Sequence, residues 1–285
     1  MKRLKQYASL VKFSHTVFAL PFALIGFFAA ARYLHFNIQW YKLALMILCM
    51  IFARNAAMGF NRYVDKKIDA ANPRTKDREI PKGIITAKHA LLFVIINCLL
   101  FIITTAFINN LCFYLSPIAL LIILIYSYTK RFTALSHLVL GLSLAIAPTG
   151  AYLVLTGSFA PFPLFLSAMV FFWTAGFDII YSLQDYDFDK KTKLKSIPTA
   201  LGKRNSLIAS IILHIPIPFI IFYLGIYYNL HAVYWIGCIG FTTMLIYQHL
   251  IVKPNNLSII GIAFGITNGI ASVIFGIFTI ISIIL

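Results

Sequence analysis

Eight acidic side chains serve the whole 285-residue chain, and all of them fall in two stretches. Asp65, Asp69, Asp77 and Glu79 lie in RNAAMGFNRYVDKKIDAANPRTKDREIPKG, from Arg54 to Gly83. Asp178, Asp185, Asp187 and Asp189 lie in FDIIYSLQDYDFDKKTKLKSIPTALG, from Phe177 to Gly202. Asp65 and Asp69 are four apart, as are Asp185 and Asp189, so on a continued helix each pair shares a face, with Asn61 one turn before the first pair. Asp187 would then point away. Carboxylates at i and i+4 with no base between them repel unless a cation lies between. Mg²⁺ suits such hard oxygen ligands, and it is usually held by one or two carboxylates together with phosphate oxygens. Cations surround both stretches: Arg74, Lys76, Arg78 and Lys82 follow the first pair, and Lys190 to Lys195 the second. Arg54 sits inside an apolar run, where an ionisable group is costly and usually functional. The chemistry these residues fit is metal-assisted handling of a diphosphate.

The elements that position them are membrane helices. The chain is 61% hydrophobic and 11% charged, with a mean hydropathy of +0.88, where a soluble domain is nearer half apolar and a quarter charged. The whole of 1–285 reads as one transmembrane domain. The net charge of +16 is loop charge beside anionic lipid and not a nucleic-acid footprint, for which no soluble basic face exists. The basic, then apolar, then small-residue N-terminus imitates a signal peptide, but its apolar run is long enough to span and more spans follow. Further apolar blocks run from Lys42 to about Gly59, His89 to Thr129, Phe132 to Phe177, Asn205 to Val252, and from Pro254 to the end. Turns fall at Asn109-Asn110, at Thr156-Gly-Ser and around Gly225 to His231. At about 20 residues per crossing this predicts an all-α bundle of nine helices. In the last of them Gly261, Gly265 and Gly269 put small residues on one face, for close helix contact. The four cysteines lack CxxC spacing and read as packing residues.

Orientation follows from the basic residues. Arg32 and Lys42 alone fall in the odd-numbered loops, and Arg54 lies within a helix; the other Lys and Arg belong to the N-terminus or to the loops after spans two, four, six and eight. Both acidic stretches are therefore expected on the cytoplasmic face. They lie four spans apart, as in a weak internal duplication. The same positive-inside bias is a sufficient account of most of the loop lysines, and snorkelling to the interface is the plain alternative for Arg54. A transporter would also carry polar groups in a duplicated bundle, but its sites lie near the bilayer midplane and no acidic residue here is mid-span. A scaffold or lipid-binding protein leaves the spaced aspartates unexplained.

NRYVDKKID with the following NPRTKDREIPKG, together with DIIYSLQDYDFD and LKSIP, resembles the UbiA superfamily of intramembrane prenyltransferases. Tyr126-Ser-Tyr-Thr-Lys130 is similar to the YxxxK element of that family. The matching segments cover about a quarter of the chain, in the family's order. The resemblance implies helices around a central cavity, with Mg²⁺ and polyprenyl diphosphate at a cytoplasmic cap. It implies that Asn61, Asp65, Asp69, Asp185 and Asp189 hold metal, and that Arg54 and Lys130 hold diphosphate, with Arg74, Arg78 and Lys195 as further cations there. Tyr126 and Asp178 would lie near the reacting carbon or the acceptor. One departure matters: Arg62 stands where the best-known members have the first Asp. It removes a possible ligand and is expected to contact diphosphate directly.

Among members, the run NPRTKDREIPKG, the segment KRFTALSHLVLG and AGFDIIYSLQD look most like bacterial enzymes acting on 4-hydroxybenzoate, with relatives acting on a dihydroxynaphthoate in menaquinone synthesis. Haem, chlorophyllide or lipid acceptors fit less well. The resemblance thus implies a bacterial inner-membrane enzyme whose partners are a polyprenyl diphosphate, an aromatic carboxylate and membrane lipid. His15 and His137 lie where substrate contact is conceivable but read as satisfied structural histidines. Tyr227 and Tyr228 read as interface anchors.

Overall fold

The computed structural model describes residues 6–7, 9–11, 18–33, 38–257 and 259–285. His15 lies outside them. Apart from one isolated bridge between Lys253 and Asn256, the described chain is helical, as expected. In order the helices are α1 Leu20–Tyr33, α2 Trp40–Val64, α3 Lys66–Ala71, α4 Ala87–Ala106, α5 Asn110–Thr129, α6 Ser136–Thr156 and α7 Pro161–Ser182. Then come α8 Tyr186–Lys191, α9 Ile197–His214, α10 Pro216–Tyr227, α11 Val233–Ile251 and α12 Ile260–Ile284.

Local sequence sets the ends. Thr86 and Asn109 cap α4 and α5 by accepting the backbone N–H of His89 at 3.3 Å and of Cys112 at 2.8 Å. Gly157 ends α6 in the left-handed region, at φ 60°, which costs glycine nothing. Ser196 and Thr199 form a capping box at the start of α9. Pro216 separates α9 from α10, because it has no N–H to continue the ladder.

Among the described residues seven helical segments are long and apolar enough to cross a bilayer, so the count of nine is not established. The two other apolar helices are the 14-residue α1 and the 19-residue α11, whose last turns carry Gln248 and His249. Large apolar side chains such as Leu121, Ile212 and Phe219 are exposed along these helices, as a lipid-facing surface requires. The chain is an integral membrane protein.

The packed core lies to one side. Trp173 of α7 is fully buried, met edge-on or at a tilt by Phe18, Phe22, Phe177 and Phe241. Its indole N–H donates to Asn268 of α12 at 2.9 Å. On the other side α2, α4, α5, α6 and α7 enclose a cavity of about 650 Å³. The two acidic stretches take the same local form, in which a long helix gives way to a single short one, α2 to α3 and α7 to α8.

The glycine stripe of the last helix does not do what its spacing predicts. No described atom lies within 4 Å of where a Cβ on Gly261 or Gly265 would sit, and Gly269 faces only the ring of Phe18. A π-helical turn over Ala263–Thr267 rotates the face there, so a four-residue spacing no longer forms one contact line. Close approach falls elsewhere: a Cβ on Gly26 of α1 would overlap the Pro148 carbonyl of α6. We expect Gly26→Ala to force α1 from α6 at a cost of about 1–3 kcal/mol, seen as a lower melting temperature in detergent. Gly261→Ala is expected to leave the melting temperature unchanged.

Candidate functional site

The cavity is apolar along most of its length, lined by residues such as Met46, Met50, Ile118, Leu142, Phe159 and Leu164. At one end it becomes polar, where Arg54, Asn61 and Arg62 from α2, Arg78 from the 72–86 loop, Tyr126 from α5, and Asp178 and Tyr181 from α7 face it. Arg62 is 4% exposed and its Nε has no hydrogen-bond partner. A buried guanidinium edge left unpaired beside a cavity is a strong anion-seeking group. Along its length, Ile118, Leu142, Phe159 and Leu164 line the cavity and are also among the exposed apolar side chains. The cavity therefore opens sideways among α5, α6 and α7.

The spaced aspartates lie beside the polar end and do not line it. Asp65 closes α2 and starts α3, bending the helix while keeping the i to i+4 chain: its N–H donates to Asn61 O at 2.9 Å, and the N–H of Asp69 donates to Asp65 O at 2.7 Å. The Asp65 carboxylate, 1% exposed, accepts from Asn61 Nδ2 at 3.3 Å, Lys130 Nζ at 2.5 Å and Arg131 at 3.0 Å. Asp69 accepts from Arg78 at 2.7 Å on Oδ1, while its buried Oδ2 has no partner. Asp185 accepts from Asn72 Nδ2 at 2.9 Å and from Nε and Nη2 on one edge of the Arg74 guanidinium. Asp189 has no ion-pair partner among the described residues. Asp187 points away, exposed and loosely paired with Lys203 at 3.6 Å.

Arg74 joins the two acidic stretches, donating also to Tyr181 Oη at 3.2 Å. Burial disfavours its charge, but the hydrogen bonds and charge of Asp185 and Tyr181 outweigh this and hold Arg74 protonated well above its usual range. Whatever cation approaches Asp185 competes with Arg74 and not with a proton. Lys195, expected among the diphosphate cations, is turned elsewhere. Its backbone N–H donates to Lys130 O at 2.8 Å and its Nζ to Phe132 O at 3.2 Å, so it ties the segment after α8 to the end of α5.

Several residues had no role assigned from sequence. Arg131 shares Asp65 with Lys130, and its signal was adjacency to the YxxxK element. Asn72 was legible only as the start of an Asn-Pro turn. His137 is not a lone core histidine: its Nδ1 lies 2.7 Å from Asp178 Oδ2, and both residues are buried.

No three His, Cys, Asp or Glu side chains among the described residues converge as a closed metal site. The donors are nevertheless hard oxygens, with one buried carboxylate oxygen orphaned on Asp69 and guanidinium groups opposite. That set fits an ion which takes one or two carboxylates and completes its shell with water and phosphate oxygens.

The balance of Asp69 against Arg78 can be measured by itself. Arg78→Met leaves a buried carboxylate unpaired and is expected to cost about 3–5 kcal/mol, lowering the melting temperature without divalent cation. Asp69→Asn in the same chain is expected to recover most of that loss.

Residues 19–273 match the model of the UbiA prenyltransferase family. The 4-hydroxybenzoate octaprenyltransferase of Aliivibrio fischeri is 30% identical over 217 residues, 75% of each chain. The apo structure of a UbiA homologue from Aeropyrum pernix K1 superposes with a TM-score of 0.80 at 28% identity, over 95% of this chain and 97% of that one. A UbiA homologue from Archaeoglobus fulgidus, solved with GPP and Mg²⁺ bound, shares the fold with a TM-score of 0.75 at 21% identity, over 98% and 100% of the two chains.

Proposed function

The chain belongs to the UbiA prenyltransferase family, and from that premise we propose that it transfers a polyprenyl group from its diphosphate to the ring of 4-hydroxybenzoate, in quinone synthesis. The observation that carries this reading is one cavity that is apolar along its length and ends at Arg54, Arg62 and Arg78 beside four spaced aspartates. The relatives named 4-hydroxybenzoate octaprenyltransferases support the acceptor, and the Archaeoglobus fulgidus homologue with GPP and Mg²⁺ supports the donor and the metal.

In this reading Asn61, Asp65, Asp69, Asp185 and Asp189 hold Mg²⁺, with the orphaned oxygen of Asp69 and the unpaired carboxylate of Asp189 as the readiest donors. Mg²⁺ bound there supplies positive charge for the departing diphosphate. Arg54, Arg62 and Arg78 receive the diphosphate from the cavity side. Lys130, Arg131 and Arg74 each exchange a carboxylate for a phosphate oxygen. Asp65 and Asp185 place these cations beside the cavity before the diphosphate arrives. The apolar walls take the prenyl chain and keep water from the allylic cation, and the rings of Tyr126, Phe177 and Tyr181, which line the cavity, would stabilise it through their quadrupoles. Asp178 and Tyr126 adjoin the acceptor ring. By the positive-inside bias the polar end faces the cytoplasm, in a bacterial inner membrane.

Membranes containing the protein, Mg²⁺, 4-hydroxybenzoate and a radiolabelled polyprenyl diphosphate are expected to yield prenylated 4-hydroxybenzoate, and chelation by EDTA is expected to stop it. Asp65→Asn, Asp69→Asn and Asp185→Asn are each expected to lower the rate at least about 100-fold. Product from a dihydroxynaphthoate alone would reassign the acceptor. Absence of product and of diphosphate release with every acceptor would overturn the reading.

A further inference from the structure

His137, near the start of α6, lies behind the cavity-lining Asp178 and does not itself line the cavity, and nothing in the prenyl-transfer reading uses it. It is 3% exposed. Its Nδ1 lies 2.7 Å from Asp178 Oδ2, and its Nε2 lies 3.4 Å from the backbone nitrogen of Ile197, at the start of α9. A backbone N–H only donates, so Nε2 is the accepting nitrogen and carries no proton. The proton therefore resides on Nδ1 and is donated to Asp178. The two contacts together assign the ring as the Nδ1–H tautomer, with Asp178 Oδ2 as its acceptor. Asp178 Oδ2 is thereby occupied, while Oδ1 has no partner among the described residues and belongs to a side chain that lines the cavity beside Tyr126.

We propose that His137 is a positioning residue that holds Asp178 as an ionised, oriented proton acceptor for the aromatic substrate. The inference rests on the prenyl-transfer reading for its chemistry. In that reaction the allylic C–O bond breaks with its electron pair going to diphosphate, and a ring electron pair forms the new C–C bond. The ring proton at that carbon must then leave for the ring to regain aromaticity. Asp178 Oδ1 takes it, and the hydrogen bond from His137 Nδ1–H keeps the carboxylate turned to the ring and ionised until that step. His137 touches neither substrate. Its role resembles that of any outer partner that fixes a tautomer and an orientation through the atom the reaction does not use.

The arrangement also links the site to the second acidic stretch. Ile197 follows Lys195, whose backbone is bound to Lys130. The residues after α8 thus fix the tautomer of His137 and the end of α5 together.

The test uses the full chain in membranes, with polyprenyl diphosphate binding, product formation and histidine ¹⁵N spectra read in parallel. His137→Phe, which can neither donate nor accept, is expected to lower the turnover number with acceptor about 10- to 100-fold. Prenyl diphosphate binding should stay within about twofold of the unaltered protein. His137→Gln, whose amide can donate to Asp178 and accept from Ile197, is expected to recover most of the turnover. Unchanged turnover in His137→Phe would overturn the proposal. So would a parallel loss of donor binding that His137→Gln does not restore, since that marks a purely structural residue. In the ¹⁵N spectra the His137 signal, identified by its loss in His137→Gln, is expected as the neutral Nδ1–H form. A doubly protonated or Nε2–H ring overturns the proposal whether or not any acceptor turns over. Absence of product from the unaltered protein, with the expected tautomer present, would count against the acceptor assignment and not against the His137–Asp178 pair.

Discussion

Everything at the polar end depends on carboxylates held where water is scarce. Two charges near a low-dielectric boundary repel or attract several-fold more strongly than in water, and a buried carboxylate without a counter-charge is strongly destabilising. Asp65 and Asp185 are therefore matched from distant parts of the chain. Asp65 at the end of α2 takes Lys130 and Arg131 from beyond α5, and Asp185 beyond α7 takes Asn72 and Arg74 from the loop after α3. These pairs are long-range in sequence, and they fasten both halves of the bundle at one face. Asp69 and Asp189 are left with unused oxygen, which is what makes the network a site as well as a fastening.

The hollow exists because the packing is lopsided. Trp173 and the phenylalanines around it fill the space among α1, α7, α11 and α12. A second, smaller cluster, with Ala23, Phe27, Met46 and Tyr152, packs α1, α2 and α6 together. Gly26 against Pro148 and Gly141 against Phe171 bring α1, α6 and α7 close together on the packed side. The larger cluster thus lies among α1, α7, α11 and α12, and the space among α2, α4, α5, α6 and α7 is left for a long apolar guest.

Much of this was legible in the sequence. Hydropathy was enough for the class, since 61% apolar residues leave no aqueous surface for a soluble domain. The confinement of all acidic residues to two stretches located the polar end, and the turns at Asn109 and Gly157 fell where capping chemistry put them. Other features depend on three-dimensional detail that spacing does not encode. The i, i+4 spacing of Asp65 and Asp69 survives a bend that it could not reveal, and the Gly261–Gly269 stripe was undone by a single π turn. Lys195 follows the second pair of aspartates closely, yet its bonds to the carbonyls of Lys130 and Phe132 turn it away from the site. His137 and Asp178 are 41 residues apart in the chain, so only the packing of α6 against α7 makes them a pair.

The side opening among α5, α6 and α7 changes what kind of molecule the protein has to accommodate. A closed pocket measures its guest, and a chain longer than the pocket must coil or be refused. Where Ile118, Leu142, Phe159 and Leu164 belong at once to the cavity wall and to the lipid-facing surface, the tail of a bound chain can continue into the bilayer. Volume then sets no upper limit on tail length, and selection shifts to whatever chains the surrounding membrane contains. Supply and release become events in two dimensions, governed by amount per area of membrane and not by concentration in water.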